Sequence, residues 1–335
     1  MQIWIPSQAV GSGASVYFER LAKVLTDAGH SVELTHLSDW HRLYPGLLKW
    51  KKPKTAPDVI IADVITGAVF KGKSKYLIVI EHHCIFDPAY LPFKDLKQQL
   101  VHYLLWHRYE KKSLFAADKI VCVSLYTQQS VTQVFGELPI QVISNAIETD
   151  YFTPAETPNF NKVSKPVQLL YVGNLISRKG VDLLPRIMTE LGTNFELRYT
   201  SGLRSNDQFS EYENMLPLGR LTREELREEY RKADIFLFPT RFEGFGYAPA
   251  EAMACGTPVV STLSSSIPEV VEDGETGILC PVDDVPAFVA ALKKLSSDRT
   301  TLTNMASKAR SNAEQQFSMD NWGEKWKHLL TDIQN

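Results

Sequence analysis

One stretch constrains this chain more than any other. Residues 234–260 read Asp-Ile-Phe-Leu-Phe-Pro-Thr-Arg-Phe-Glu-Gly-Phe-Gly-Tyr-Ala-Pro-Ala-Glu-Ala-Met-Ala-Cys-Gly-Thr-Pro-Val-Val. An apolar run ending at Phe238 leads into a glycine-bearing turn and then a short helix over Ala248–Cys255. Gly256 takes the position that commonly closes a helix, and a second apolar run begins at Pro258. Strand, turn, helix and strand make a βαβ unit, which commits this part of the chain to a parallel sheet. Gly244 and Gly246 let a ligand come close to the backbone. The start of the helix points N–H groups at that ligand and favours an anion. Two carboxylates flank the turn: Glu243 at the strand end and Glu251 in the first helical turn, with seven residues between them. Taken alone, such a pair is more often a solvated loop residue and a helix-dipole partner. At the C-terminal end of a parallel strand it has a second reading, because open α/β sheets bind ligands there. Hydrogen-bond acceptors beside an anion cradle suit a polyhydroxyl ligand that also carries phosphate, as a nucleotide sugar does.

The run from Glu243 to Val260 resembles the donor-site signature of retaining glycosyltransferases of family 4. Ile267-Pro-Glu-Val-Val-Glu-Asp-Gly-Glu-Thr-Gly277 is similar to the segment that follows in that family. The resemblance implies an α/β chain of GT-B fold, with two Rossmann-like domains facing across a cleft and a last helix returning to the first. It implies an acceptor-binding domain over 1–150, a nucleotide-sugar domain over 151–318 and a returning helix over 319–335. The linker falls between Asn145 and Pro166, where Pro154, Pro158 and Pro166 interrupt regular structure.

Composition sets outer limits. A length of 335 residues is enough for two α/β domains. No apolar run approaches the ~20 residues that span a bilayer. The N-terminus reads as a first strand rather than a signal peptide. A formal net charge of −3 argues against general nucleic-acid binding. Cys84, Cys122, Cys255 and Cys280 lack metal-ligand spacing and read as reduced, buried residues of a cytoplasmic protein.

In the N-terminal half, strand Gln2–Pro6 runs into a loop with Gly11 and Gly13, then a helix to about Ala28 and a second strand over Ser31–Leu37. G-x-G-x-x-G is incomplete here, so the two glycines read as a tight turn; the resemblance implies that this loop faces the donor diphosphate. Residues 40–54 mix Trp40, Tyr44, Leu47, Leu48 and Trp50 with four lysines. That pattern fits peripheral contact with an anionic membrane, or equally a solvated loop with tucked aromatics. Strand Tyr76–Glu81 ends at His82 and His83. Such a pair is commonly structural; the resemblance places His82 against the donor sugar, with His83 in reserve. Leu96–Phe115 is expected as one long helix with Leu100, Tyr103, Leu104 and Trp106 on its apolar side. Its basic residues read as a solvated face, or as the wall of an acceptor channel.

In the C-terminal half, strand Val167–Gly173 leads to Arg178 and Lys179 on a turn that feeds a helix. They would ordinarily be two solvated cations; the resemblance makes them the pair that neutralises a leaving diphosphate. Asn174 stands where the family usually has arginine. Thr222 and Glu225 form a capping box, and the resemblance puts the donor base beside Arg220 and Leu221. Trp322 and Trp326, four apart, mark the buried face of the last helix.

Together these readings imply transfer of a sugar from a nucleotide sugar, with UDP or GDP the expected donor nucleotide, to a glycan or lipid-linked acceptor in cell-surface polysaccharide or lipopolysaccharide assembly. The expected site is His82, Arg178, Lys179 and Glu243 for catalysis. Gly11, Gly13, Arg220, Leu221, Gly244, Phe245, Gly246 and Glu251 are expected to join them in holding the donor. Retention implies same-face attack through an oxocarbenium-like transition state, with the leaving phosphate taking the acceptor proton. No cofactor and no metal are expected, because fixed cations stand in for one. The expected location is the cytoplasm, at the inner face of the membrane. Two rivals remain: a nucleotide-sugar epimerase of related fold, whose extra acids and bases the sequence does not reveal, and a non-catalytic sugar-nucleotide-binding subunit.

Overall fold

Apolar runs of four to six residues alternating with amphipathic helices build sheets buried on both faces. Val59–Asp63, Ile235–Phe238 and Val259–Thr262 follow that rule, with every residue buried. The computed structural model describes residues 1–8, 13–38, 40–156, 166–201 and 209–334. The chain divides into two compact units, Met1–Asn145 with the segment from Met319 onward, and Ala146–Ser318.

The first unit has strands β1 (Gln2–Gln8), β2 (Ser31–Leu37), β3 (Val59–Asp63), β4 (Tyr76–Glu81), β5 (Lys119–Cys122) and β6 (Ile140–Val142) in the order β2-β1-β3-β4-β5-β6. Its helices are α1 (Gly13–Asp27), α2 (Trp40–Leu43), α3 (Leu96–Val101), α4 (His107–Ala116) and α5 (Leu125–Phe135). The second unit has β7 (Val167–Tyr171), β8 (Phe195–Thr200), β9 (Met215–Gly219), β10 (Ile235–Phe238), β11 (Val259–Thr262) and β12 (Gly277–Cys280) in the order β12-β11-β10-β7-β8-β9. Around them lie α6 (Leu184–Leu191), α7 (Arg223–Lys232), α8 (Tyr247–Ala254), α9 (Ile267–Val270), α10 (Val285–Ser297) and α11 (Arg299–Phe317). The last helix, α12 (Met319–Asp332), belongs to the first unit, where Trp322 packs edge-on against Tyr17 of α1 at 5.2 Å. Among the described residues, paired strands run parallel in both sheets.

Local signals set several helix starts. Thr222 Oγ1 accepts from Glu225 N at 3.2 Å while Glu225 Oε2 accepts from Thr222 N at 2.7 Å, which closes the expected capping box on α7. Ser124 caps α5 through Thr127 N at 3.0 Å.

The long helix expected over Leu96–Phe115 is corrected. Asp95 caps α3, a π-turn over His102–Trp106 follows, and α4 completes the segment. Leu100, Tyr103 and Leu104, expected to face inward, are exposed, whereas Glu110, Ser113 and Leu114 are buried. The π-turn inserts an extra residue per turn and rotates the following helix, so one 3.6-residue pattern cannot describe the whole segment.

Among the buried carboxyl groups of the first unit are Asp63, Glu81 and Glu110. Burial, then the Asp63 charge, pushes the Glu110 carboxyl up to about 8. Burial, then Glu110 and Asp63, also raises Glu81 well above the usual carboxylate range. These groups bind protons in the folded chain at pH values where the unfolded chain has released them. Their effect on stability is therefore most favourable below the unfolded value near 4.5 and is lost as pH rises through about 8. We expect the stability measured by denaturant titration to fall across that interval, and Glu110→Gln to reduce the fall by on the order of a few kcal/mol. An equally steep decline in the variant would mean that Glu110 is already ionised in the folded chain.

Candidate active site

In the second sheet β7, β8 and β9 grow outward in one direction, and β10, β11 and β12 in the other. The order reverses between β7 and β10. Loops leaving the C-terminal ends of these two strands therefore open at the topological switch point, where an open α/β sheet has room for a ligand. The first loop carries Arg178 and Lys179; the second carries Glu243, Gly244, Phe245 and Gly246.

The two loops touch because of one glycine. Gly180 has φ 68°, and a Cβ there would stand 1.7 Å from the carbonyl oxygen of Pro239, at the end of β10. A residue with a side chain cannot occupy this crossing. Arg241 N donates to the Arg178 carbonyl at 2.9 Å, and Thr240 Oγ1 lies 3.3 Å from the same oxygen. The Arg241 guanidinium then forks onto Asp182 at 2.6 and 2.7 Å and reaches Asp283 at 2.6 Å. Both loops are thus tied at main chain and side chain.

This clamp brings a buried charge group together. Lys179 Nζ donates to Glu243 Oε1, which also accepts from Thr240 Oγ1 at 2.9 Å. Arg178 Nη1 lies 3.8 Å from Glu243 Oε2 and donates to the Phe242 carbonyl at 2.6 Å. Burial opposes the charge on Glu243, but Lys179 and Arg178 outweigh it and hold the carboxyl below its usual range. Burial pulls the Lys179 ammonium down, with Glu243 opposing and Arg178 reinforcing that pull. The Glu243 carboxylate thus favours the charged form of Lys179 against its burial.

The glycine turn is held from behind. Ser265 Oγ accepts from Glu243 N at 2.8 Å, while Ser266 Oγ lies 3.0 Å from the Glu243 carbonyl and 2.9 Å from that of Phe245. Ser265 does this at φ 49°, a left-handed conformation that a serine adopts only at a cost. Gly246, at φ 111°, starts α8 one residue earlier than the sequence pattern indicated. Glu251 consequently lies in the second turn of α8, not the first, which weakens its reading as a helix-dipole partner. Buried Tyr230 donates its hydroxyl to Glu251 Oε2 at 3.1 Å. Arg310 of α11 donates to the Ala254 carbonyl at 2.8 Å, satisfying an end group of α8 and fixing the helix.

The other expected residues lie as follows. Phe245 is buried and meets Tyr247 and Phe317 edge-on, each at 5.4 Å. Arg220 is exposed and Leu221 half-buried, just before α7. Asn174 is exposed, and its carbonyl accepts from the Tyr171 hydroxyl at 3.1 Å. In the first unit Gly13 begins α1, and Gly11 lies outside the described residues. His82 packs edge-on against Tyr17 at 5.0 Å and Phe18 at 5.7 Å. His83 N donates to Glu81 Oε1 at 3.2 Å, and its ring lies 5.6 Å from Tyr90. The structure thus joins Arg178, Lys179 and Glu243 directly and sets Glu251 on the helix that follows the same turn. Sequence reasoning missed Thr240, Arg241, Tyr230, Ser265 and Ser266. Arg241 alone carried a local signal, as a cation two residues before Glu243.

Gly180→Ala should lower stability by about 1–3 kcal/mol or more, because the left-handed φ and the Pro239 oxygen both oppose a methyl group. Arg241→Ala should cost on the order of 1–3 kcal/mol by releasing the same crossing. Thermal unfolding of the two single variants and the double variant checks this. Independent, additive losses would argue against a shared clamp.

Two family models cover most of the chain. One described as Glycosyltransferase Family 4 matches residues 35–151, and one described as Glycosyl transferases group 1 matches residues 166–298. A GDP-mannose-dependent alpha-(1-6)-phosphatidylinositol monomannoside mannosyltransferase of Mycolicibacterium smegmatis is 28% identical over 230 residues, covering 62% of this chain and 59% of that protein. The chain spans between 45% and 61% of the length of the first curated relatives it matches. Sucrose-phosphate synthase from Thermosynechococcus elongatus superposes with a TM-score of 0.83 at 17% identity, over 99% of this chain and 98% of that one. Anabaena HepE in complex with UDP-glucose does so with a TM-score of 0.76 at 17% identity, over 99% and 100%. These neighbours and the two parallel sheets identify the fold as the two-domain α/β GT-B fold. With that fold and both family models, the chain belongs to the family 4 glycosyltransferases.

Proposed function

We propose that this chain is a retaining glycosyltransferase that moves a sugar from a nucleoside-diphosphate sugar to a hydroxyl of a glycan or glycolipid, in cell-surface polysaccharide assembly. The observation that carries this reading is the clamped group of Arg178, Lys179 and Glu243 at the switch point of the second sheet. Two cations and a carboxylate on backbone that cannot swing suit a diphosphate bonded to a sugar. Burial works against the Lys179 charge, and a second anion beside Glu243 makes that charge easier to hold.

In this reading Lys179 and Arg178 stabilise the charge that grows on the departing diphosphate. Glu243, anionic and fixed by Thr240, accepts from sugar hydroxyls, while the N–H groups of Phe245 and Gly246 donate to the same sugar. Glu251, oriented by Tyr230, accepts from ribose hydroxyls. Arg220 and Leu221 flank the base. The family resemblance assigns His82 to the donor sugar, and Gly11 and Gly13 to the diphosphate. Glu243 takes no role as general base; the leaving phosphate accepts the proton of the attacking hydroxyl. The sugar passes through an oxocarbenium-like state and keeps its anomeric configuration. The fixed cations do the electrostatic work that a divalent ion does in other transferases, so the reaction runs without one. Two similar proteins, a GDP-mannose-dependent mannosyltransferase and a protein in complex with UDP-glucose, support UDP or GDP as the donor nucleotide. The work site follows from the acceptor: the cytoplasm, beside the membrane where lipid-linked glycans are built.

Thermal shift against UDP-, GDP-, ADP- and TDP-sugars tests the donor site. Donor at ~100 times its dissociation constant should add about 2.7 kcal/mol of stability. One nucleotide class should give the shift, and Glu251→Ala should abolish it. Lys179→Ala should lower turnover about 100-fold or more, the scale of losing one transition-state donor. NMR of the first-formed product should show the donor's own anomeric configuration, with turnover undiminished by a chelator. An inverted product would overturn retention; absence of transfer with every donor and acceptor tried, alongside no thermal shift, would overturn the enzyme itself.

A further inference from the structure

One short run in the second unit places hydroxyl groups where a core ordinarily has alkyl ones. Residues 261–266 read Ser-Thr-Leu-Ser-Ser-Ser and begin in the last residues of β11, which pairs with β10. Ser261, Thr262 and Ser266 are fully buried, while Leu263, the one apolar member, is 62% exposed. A buried hydroxyl is costly unless it is hydrogen-bonded. Here each hydroxyl bonds to the backbone of the loop that follows β10. Ser261 Oγ donates to the Phe238 carbonyl at 2.6 Å, Thr262 Oγ1 to that of Thr240, and Ser264 Oγ to that of Arg241 at 2.8 Å. Ser265 and Ser266 continue the series onto Glu243 and Phe245.

Two members do little for their own segment. Ser266 occupies the N-cap of α9, where serine ordinarily caps, yet its side chain makes no capping bond there. Ser265 holds φ 49°, a conformation that glycine adopts without strain. Local folding favours neither arrangement, so the reason for them lies in the loop they hold.

Each of these bonds fixes a peptide plane. In a trans peptide the carbonyl and the N–H point in opposite directions. The Phe242–Glu243 peptide gives its carbonyl to Arg178 Nη1 at 2.6 Å and its N–H to Ser265 Oγ at 2.8 Å. Arg178 and Ser265 therefore grip it from opposite sides. Ser266 Oγ, with one hydroxyl proton, draws in the Glu243 and Phe245 carbonyls. The Phe245–Gly246 peptide is thereby turned so that its N–H points away from the serines. Gly246 is packed closely there: a Cβ would stand 3.2 Å from Ile267 Cδ1 and 3.3 Å from Pro249 Cγ, so the plane has little room to turn back.

We propose that Ser265 and Ser266 are positioning residues that aim the Gly246 N–H at the Arg178 side of the turn, where it donates to a sugar oxygen of the donor. The inference rests on the donor reading above and adds which side chains prepare the backbone for it. A donor group fixed before the ligand arrives needs no reorganisation when charge develops in the reaction.

The test compares each nucleotide sugar with its own nucleotide. The chain is titrated with UDP-glucose, GDP-mannose, ADP-glucose and TDP-glucose, and with the four free nucleoside diphosphates. For the pair that binds, Ser266→Ala should weaken the nucleotide sugar about tenfold and leave the free nucleotide within about twofold of the parent. Ser265→Gly, at a backbone conformation open to glycine, should weaken the nucleotide sugar selectively as well. Equal weakening of both ligands, or none, overturns the proposal while the donor reading stands. A parent that binds none of the eight overturns the donor reading and the proposal together. A second measurement reads the peptide plane directly. Phe–Gly peptides occur only at 135–136 and 245–246, so carbonyl-13C phenylalanine with 15N glycine labels these two alone. Ser266→Ala should move the 245–246 signal and leave 135–136 in place. In the parent the Gly246 N–H signal should shift further with nucleotide sugar than with nucleotide. A 245–246 signal indifferent to the substitution, or to the sugar, overturns the proposal.

Discussion

The second unit is built around a buried ion pair, Lys179 with Glu243. Removing two charges from water costs several kcal/mol per ion, and mutual attraction offsets this only with good geometry and further hydrogen bonds. The geometry comes from a glycine whose absent side chain lets two loops cross, and from Arg241, which locks the crossing. The further hydrogen bonds come from Thr240 to the carboxylate, and from Ser265 and Ser266 to the backbone around it. A leucine or methionine pair would fill the same space with less penalty. A buried charge group at the switch point of a parallel sheet is a candidate functional site.

The first unit handles polar groups the opposite way. Its interior holds Asp63, Glu81 and Glu110 with raised proton affinity at the latter two, so neutralisation rather than pairing makes their burial tolerable. Its exterior carries tryptophans, tyrosines and leucines among lysines. Acid groups inside and apolar groups outside both depart from the usual distribution. They meet in one segment: α4 places Glu110 in the core while the residues just before it turn their apolar side chains outward.

That segment shows where reading a sequence stops. Leu96, Leu100, Tyr103 and Leu104 recur at helical spacing, and a helical apolar stripe ordinarily faces a core. Periodicity reports that a stripe exists; what covers it is set by the neighbouring elements. Here the core is already filled by Leu48, Phe70 and Leu114, and the π-turn shifts the phase before α4 reaches it. Glu251 illustrates the same limit on a smaller scale. A left-handed Gly246 moved the helix start by one residue and so changed which turn Glu251 occupies.

By itself the sequence determined what is local. Continuous apolar runs marked the buried strands, Thr222 with Glu225 announced a helix start, and the glycine turn between strand and helix announced a βαβ unit. Those features rest on contacts within a few residues, which composition and spacing encode directly. Only the tertiary structure decided that Lys179 meets Glu243, 64 residues away, that Tyr230 holds Glu251, and that Ser265 accepts the strained position behind them. Each of these depends on strand order and on how closely two backbones approach. Sheet order is a global property of the packed chain, and a close approach is visible in sequence only as a glycine among many.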